Sequence, residues 1–238
     1  MCIRDSIYTN ILETDTSTRV RAAAASALGK FVYLGEIEEI PEKTLRIIED
    51  KMLDIYNSTE DTLVRRRALE SLGFSARKEI PPLIESAYYS GDQDWLASAL
   101  FAMSRSANER WIPLIDEMLD NDIPKIRFDA ARAAGELEAK QCVPRLIELL
   151  GDEDDEIRMA AIWSLSQIGG EGIEEILNQL YEETDDDELS EFIETALDNL
   201  AFTNDIQSFS FLEIQEDELD DAVWEDKDFY DDIKDFPA

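Results

Sequence analysis

The chain has 238 residues, 44% of them hydrophobic, and carries 56 Asp and Glu against 22 Lys and Arg, a formal charge of −34. A field of that sign repels phosphate backbones, which disfavours nucleic acid and makes basic proteins or peptides the expected partners. Histidine is absent, which removes the commonest general acid–base and a common metal ligand, so no catalytic residue, metal or cofactor is expected.

In chain order, Met1–Ser6 fits no repeat position and resembles translated adapter sequence. It reads as a non-native leader, with Ile7–Leu12 as the end of a truncated first helix. Beyond it a pattern close to Val-Arg-x-x-Ala-x-x-Ala-Leu-Gly recurs. Its first apolar residue stands at Val20, Val64, Trp95, Ile126, Ile157 and Leu189, so the later steps are 31, 31, 31 and 32 residues. A second series, Ile84, Ile115, Leu146 and Leu177, keeps the same 31-residue step, and Pro82, Pro113 and Pro144 precede three of its members. Two helical patterns per period predict an all-α fold, an α-solenoid of helical hairpins wound as a right-handed superhelix, with at least ten helices.

The first helices are expected over 41–56, 81–88, 113–119, 144–150 and 172–181, each opened by Pro or Gly. The first interval, Val20 to Val64, is longer, and the excess falls on the Pro41–Tyr56 helix and the Asn57–Asp61 connector. In the second helices, positions 0, +4, +7 and +8 from the marker share one stripe and should be buried. Small residues at +4 and +7, such as Ala68 and Ser71 or Ala130 and Ala133, would let neighbouring helices approach closely. Gly29, Gly73, Gly135 and Gly169 are expected as left-handed caps. The acidic and hydroxyl runs Thr14–Ser17, Asp92–Asp94 and Asp152–Asp155 should cap helix N-termini.

The opposite stripe, +2 and +6, would face outward. It holds Arg66, Phe101, Phe128, Arg132, Met159 and Trp163. Large apolar groups on an exposed stripe mark a binding surface, so these six residues form the candidate protein-binding site. Arg65-Arg66-Arg67 is a local basic island within an acidic chain. Cys2 and Cys142 are too few for a disulfide framework or a metal cluster, and Cys142 reads as a buried filler. The apolar stretch 22–34 is broken by Lys30 and reads as a solenoid helix rather than a membrane span. The start of the chain lacks the pattern of a secretory signal, so a cytoplasmic protein is expected.

The chain thus divides into 1–6, a repeat region 7–201 and a tail 202–238. The tail holds 13 acidic residues against Lys227 and Lys234, with Phe209, Phe211, Trp224, Phe229, Tyr230 and Phe236 among the acids. Acids alternating with aromatics typify interaction segments, and docking of this tail on the chain's own solenoid is one expectation.

Paired helices, Pro opening the first, and Ile126-Arg127-Phe128-Asp129-Ala130-Ala131-Arg132-Ala133-Ala134-Gly135 in the second resemble the HEAT repeat family. They are most similar to its short bacterial, lyase-type subtype, over roughly residues 7–201. The resemblance implies a non-catalytic scaffold that binds a peptide or protein along its concave face. Its alternative implication is a bilin lyase-like helper of chromophore attachment. It also implies that Arg21, Arg65, Arg127 and Arg158 pair with cap-region Asp residues in a ladder, broken at Leu96. The di-iron hydroxylases of the family need His-Glu pairs, which this chain lacks.

Overall fold

The computed structural model describes residues 3–220, with side chains over 6–206. Among them are twelve α-helices and no strand, so the fold is all-α. The chain divides into two compact units between Ile168 and Gly169. A run of left-handed glycines marks the break: Gly169, Gly170 and Gly172 have φ of 66°, 116° and 83°. L-residues are strained there, so the helix that ends at Ile168 cannot continue through it.

The first unit is a series of hairpins. They pair α1 (Ile3–Thr14) with α2 (Thr18–Glu36), α3 (Glu42–Asn57) with α4 (Thr62–Leu72), and α5 (Ile80–Tyr88) with α6 (Gln93–Arg105). Then come α7 (Ile112–Met118) with α8 (Pro124–Glu136), and α9 (Val143–Leu149) with α10 (Asp155–Ile168). The second helices α2, α4, α6, α8 and α10 stack in a row, each on the next. The second unit is a hairpin of α11 (Ile173–Glu183) and α12 (Asp187–Asp220), closed on Ile173, Leu177, Ile193, Ala196 and Leu200. The helix α1 begins inside the expected leader, and α12 runs without a break past position 202. The extra length of the first interval is shared by two helices. At 16 residues α3 is longer than the later first helices of the unit, and α2 reaches 19.

The buried stripe follows the periodicity. Val64, Ala68, Ser71 and Leu72 are at most 3% exposed, as are Ile126, Ala130, Ala133 and Ala134, and Ile157, Ala161, Ser164 and Leu165. Three markers depart from it, among them Leu189 on α12, which is half-buried. Val20 is 42% exposed, because α2 has a second-helix neighbour on one side alone. Trp95 is half-buried, its ring edge-on to Tyr56 at 5.8 Å.

Three of the four glycines are not left-handed caps. Gly29 and Gly135 lie inside helices, and Gly73 has φ of −53°. Each sits where the next second helix comes closest. A Cβ on Gly29 would stand 2.9 Å from Ser71 Oγ, on Gly73 2.7 Å from the Ala102 carbonyl, and on Gly135 2.6 Å from Ser164 Oγ. All three are position +9 meeting position +7 of the following unit. Ser71 and Ser164 then donate hydrogen bonds of 2.8 Å to the Ala25 and Ala131 carbonyls of the preceding helix. The left-handed conformation after α2, α6 and α8 falls instead on Glu38, Ala107 and Glu138.

The arginine after the marker has a more uniform partner than the ladder implied. Arg21 Nε donates to the Leu12 carbonyl at 2.8 Å and Arg65 Nε to that of Tyr56 at 2.9 Å. Arg127 Nη1 donates to Asn121 and Arg158 Nη1 to Asp152, both backbone oxygens at 2.9 Å. Each arginine therefore satisfies carbonyls left over where its own first helix ends. Only Arg127 also takes the next unit's cap Asp in a forked pair, with Asp152 at 2.7 and 3.1 Å. The N-caps follow expectation: Ser17, Asp92 and Asp154 side chains accept from Val20, Trp95 and Glu156 amides.

Two outcomes test this packing. Ala130 is fully buried, so Ala130→Asp should cost several kcal/mol, on the order of 3–5, as an unpaired buried charge does; an unchanged urea midpoint would refute the register. Asp152 is held low by Arg127, and its side chain is 7% exposed. A depressed carboxyl stabilises the fold above its unfolded pKa, and that contribution is lost as pH falls through the folded value. Asp152→Asn should therefore cost roughly 2–3 kcal/mol at neutral pH and flatten the acid limb of a stability–pH curve.

Candidate interaction face

A helix turns about 100° per residue, so the outward stripe rotates by about 40° for every four residues. That drift decides which positions are open. At +2 of the first three units, Ala22, Arg66 and Ala97 are 4, 8 and 6% exposed, covered in the row of second helices, whereas Phe128 and Met159 at the same position of the next two reach the surface. At +6 and +10 the surface opens, buried Glu70 apart, with Ser26 and Lys30 on α2, Phe74 just past α4, Phe101 and Arg105 on α6, and Arg132 and Glu136 on α8.

Arg66 is therefore not on the open face. Its Nε donates to Ser98 Oγ at 2.9 Å and its Nη1 pairs with Asp94 at 3.0 Å. The Ser98 hydroxyl passes the chain on to Glu70 Oε1 at 2.7 Å. This buried relay ties α4 to α6, and its desolvation is compensated because every charge in it has a partner. The other five expected residues do reach the surface. Phe101 and Phe128 are half-buried, Arg132 is exposed, and Met159 and Trp163 are 38 and 36% exposed.

The structure connects these residues in an order that sequence spacing did not show. Tyr33 on α2 packs on Phe74 with ring centroids 5.4 Å apart. The Arg105 guanidinium lies over Phe74 at 5.1 Å and over Phe101 at 4.8 Å. Arg105 Nε is 3.7 Å from Glu136 Oε2, and Arg132 Nη2 is 3.5 Å from Glu136 Oε1. Arg132 in turn lies over Phe128 at 5.8 Å. Aromatic and guanidinium groups thus alternate across α2, α4, α6 and α8. Phe101 belongs with Tyr33 and Phe74 on its N-terminal side; Met159 and Trp163 lie on α10, beyond the ladder. Tyr33, Phe74 and Arg105 are the residues missed by reading +2 and +6 alone. Extending the stripe one turn, to +10, finds the last two.

Between α2, α4 and α6 the face deepens into a groove of about 610 Å³, lined by Lys30, Tyr33, Arg67, Phe74, Phe101 and Arg105. Its floor is the Gly29–Ser71 contact. Glu70 also borders it, but that carboxylate already accepts from Ser98 and pairs with Arg67. Among the described residues no group of three or more His, Cys, Asp or Glu comes together to hold a metal ion. Burial pushes the Cys142 thiol up to about 12, which leaves it protonated and unreactive. No helix among the described residues is long and apolar enough to cross a membrane. The aromatics from Phe209 onward, on which the expected tail docking rests, have side chains outside the described residues.

Stacked helical hairpins whose second helices form one continuous row define an α-solenoid. The sequence model for HEAT repeats matches residues 112–198. Similar solved structures include an engineered protein at 19% identity, covering 85% of this chain and 98% of that one with a TM-score of 0.48. A designed armadillo repeat protein in complex with the peptide (KR)4 is similar at 14% identity, 82 and 98% coverage and a TM-score of 0.48. The complex of CpcE and CpcF of phycocyanin lyase from Nostoc sp. PCC7120 is similar at 15% identity, 84 and 96% coverage and 0.48. None of the curated proteins matches the chain.

Asp129 on α8 is half-buried. Burial pushes its pKa up, against the pull of Lys125 and Arg132. A raised carboxyl favours the fold while protonated, and the contribution is lost as pH rises through the folded value. Asp129→Asn, always neutral, should be more stable than the parent near neutral pH and equal to it below about pH 3, where both are uncharged. Urea melts at the two pH values check this; a less stable variant at neutral pH would show that the ionised carboxylate is supported.

Proposed function

We propose that this protein is a non-catalytic scaffold that binds a peptide or protein segment along the second-helix face of its solenoid. The observation that supports this most is the ladder from Tyr33 through Phe74, Arg105, Phe101, Glu136 and Arg132 to Phe128, continuous over four successive second helices. Aromatic and arginine side chains dominate binding energy at interfaces, because they offer large contact area and several donors at little cost in rotamer freedom. A row of equivalent positions, one unit apart, suits an extended ligand that meets each unit in turn. Met159 and Trp163 on α10 would prolong the same surface for a longer partner.

The test is a selection of peptides from an unbiased display library on the full chain. Binders are expected to lose about tenfold or more in affinity against Phe101→Ala, as for loss of an aromatic anchor. They should keep full affinity against Tyr89→Ala, whose ring is 71% exposed beside the first helix α5. Binders that depend on Tyr89 and ignore Phe101, or a library that enriches nothing, would overturn the reading.

A further inference from the structure

We infer that the groove between α2, α4 and α6 recognises an acidic peptide segment bearing an aromatic or large apolar side chain, the opposite sign of partner from the one the whole chain's charge would attract. The inference rests on the scaffold reading above and names the chemistry of the ligand. It starts from where the few cations are. The chain has 22 Lys and Arg in all, yet Lys30, Arg67 and Arg105 line this one groove and Arg132 stands beside it. Three carboxylates face these four cations: half-buried Asp129, which feels Arg132 and Lys125, and two that are already engaged. Glu70 takes Ser98 and Arg67; Glu136 takes Ser104 at 2.7 Å together with Arg105 and Arg132.

The cations are also presented in a form that an anion can use. The ring faces of Phe74 and Phe101 hold the Arg105 guanidinium, and stacking of this kind leaves the in-plane N–H donors for a carboxylate. Lys30 is exposed at the rim of the groove and has no ion-pair partner among the described residues. The groove therefore offers a planar donor at its aromatic wall and a mobile ammonium at its edge. An apolar side chain entering beside Tyr33 and Phe74 would bury area against rings, while flanking carboxylates met Arg105 and Lys30. At physiological ionic strength fields are screened over about 8 Å, so these contacts are governed by the local cations and not by the distant acids. An oligonucleotide is the weaker fit. Its phosphates would run beyond the groove onto a surface of the same sign, whereas a short acidic segment can end where the cations do.

Fluorescence anisotropy with the full chain and labelled synthetic peptides tests this. The probes are a Glu-rich peptide with one central Trp, the same peptide with Lys replacing Glu, and a short oligouridylate. The Glu–Trp peptide is expected to bind best and to weaken as salt is raised. Arg105→Gln should weaken it about tenfold and Lys30→Gln by a smaller factor, as expected of charge-assisted contacts at a wall and at a rim. Arg110→Gln, whose guanidinium lies over Trp111 and away from the groove, should leave it unchanged. Because Lys30 is exposed, Lys30→Gln keeps the test informative even if Arg105→Gln unfolds. Tighter binding of the Lys peptide or of the oligouridylate, or Glu–Trp binding indifferent to both substitutions, would overturn the inference. Library binders that need Phe101 but are basic would overturn it while leaving the scaffold reading intact.

Discussion

The close approach of successive second helices governs the rest of the first unit. Position +9 of one helix meets position +7 of the next, as Gly29 meets Ser71, Gly73 meets Ala102 and Gly135 meets Ser164. No side chain larger than these fits, because the missing Cβ atoms would already stand inside contact distance. Once backbones are this near, the +2 positions of the first three units are covered too, and Ala22 and Ala97 are small for the same reason. Arg66 is the exception that demonstrates the constraint. A long cation can occupy that position only by finding Ser98 and Asp94 within hydrogen-bonding reach. The groove follows as well: its floor is the tightest contact, and its walls are the first side chains beyond it that have room to stand up.

A second, weaker set of links fixes the angle within each hairpin. The arginine after the marker reaches back to carbonyls in the last turn of its own first helix, at Leu12 and Tyr56, or in the connector just past it, at Asn121 and Asp152. Such carbonyls have no partner inside the helix, so a guanidinium there satisfies them and meets the negative end of the dipole at once. In the third unit Leu96 stands in this place, and Arg65 of the unit before lies over Trp95 at 5.5 Å. The side chain of the preceding arginine thereby covers the ring that begins α6.

How much of this was readable in the amino-acid order divides along physical lines. Helix number, pairing and the 0, +4, +7, +8 stripe were readable, because burial of one face imposes a 3.6-residue period that no other constraint masks. The role of Gly29, Gly73 and Gly135 was not: a glycine near a helix end serves a left-handed turn or a close contact equally well in one dimension, and only the neighbour one unit away decides. Arg66 was misplaced for a related reason. Being opposite the buried stripe of its own helix says nothing about the adjacent helix, whose Asp94 and Ser98 lie 28 and 32 residues further on. Tyr33, Phe74 and Arg105 were hidden by the rotation of the stripe, which carries the open face from +2 toward +10 within two turns. Phe101, Arg132 and Trp163 reach the surface at +6, midway through that rotation, and Phe128 and Met159 reach it at +2, a position covered in the first three units alone.

The charge distribution shows why a net value misdirects an argument about partners. Many of the acids stand where helix physics puts them, in first turns and caps such as Asp92, Asp154 and Asp186, and these caps lie at helix N-termini. The second-helix face carries instead what the caps exclude, side chains long enough to cross to the next unit. Arg105 makes such a crossing to Glu136, while Arg67 and Arg132 pair with Glu70 and Glu136 on their own helices. Pairing with Glu70 and Glu136 uses only part of their donor capacity, since a guanidinium has five N–H groups. A chain that is anionic as a whole therefore still presents unspent hydrogen-bond donors on this aromatic-lined face. The sum of charges sets how a partner approaches from a distance; the arrangement of these few donors sets what can remain bound.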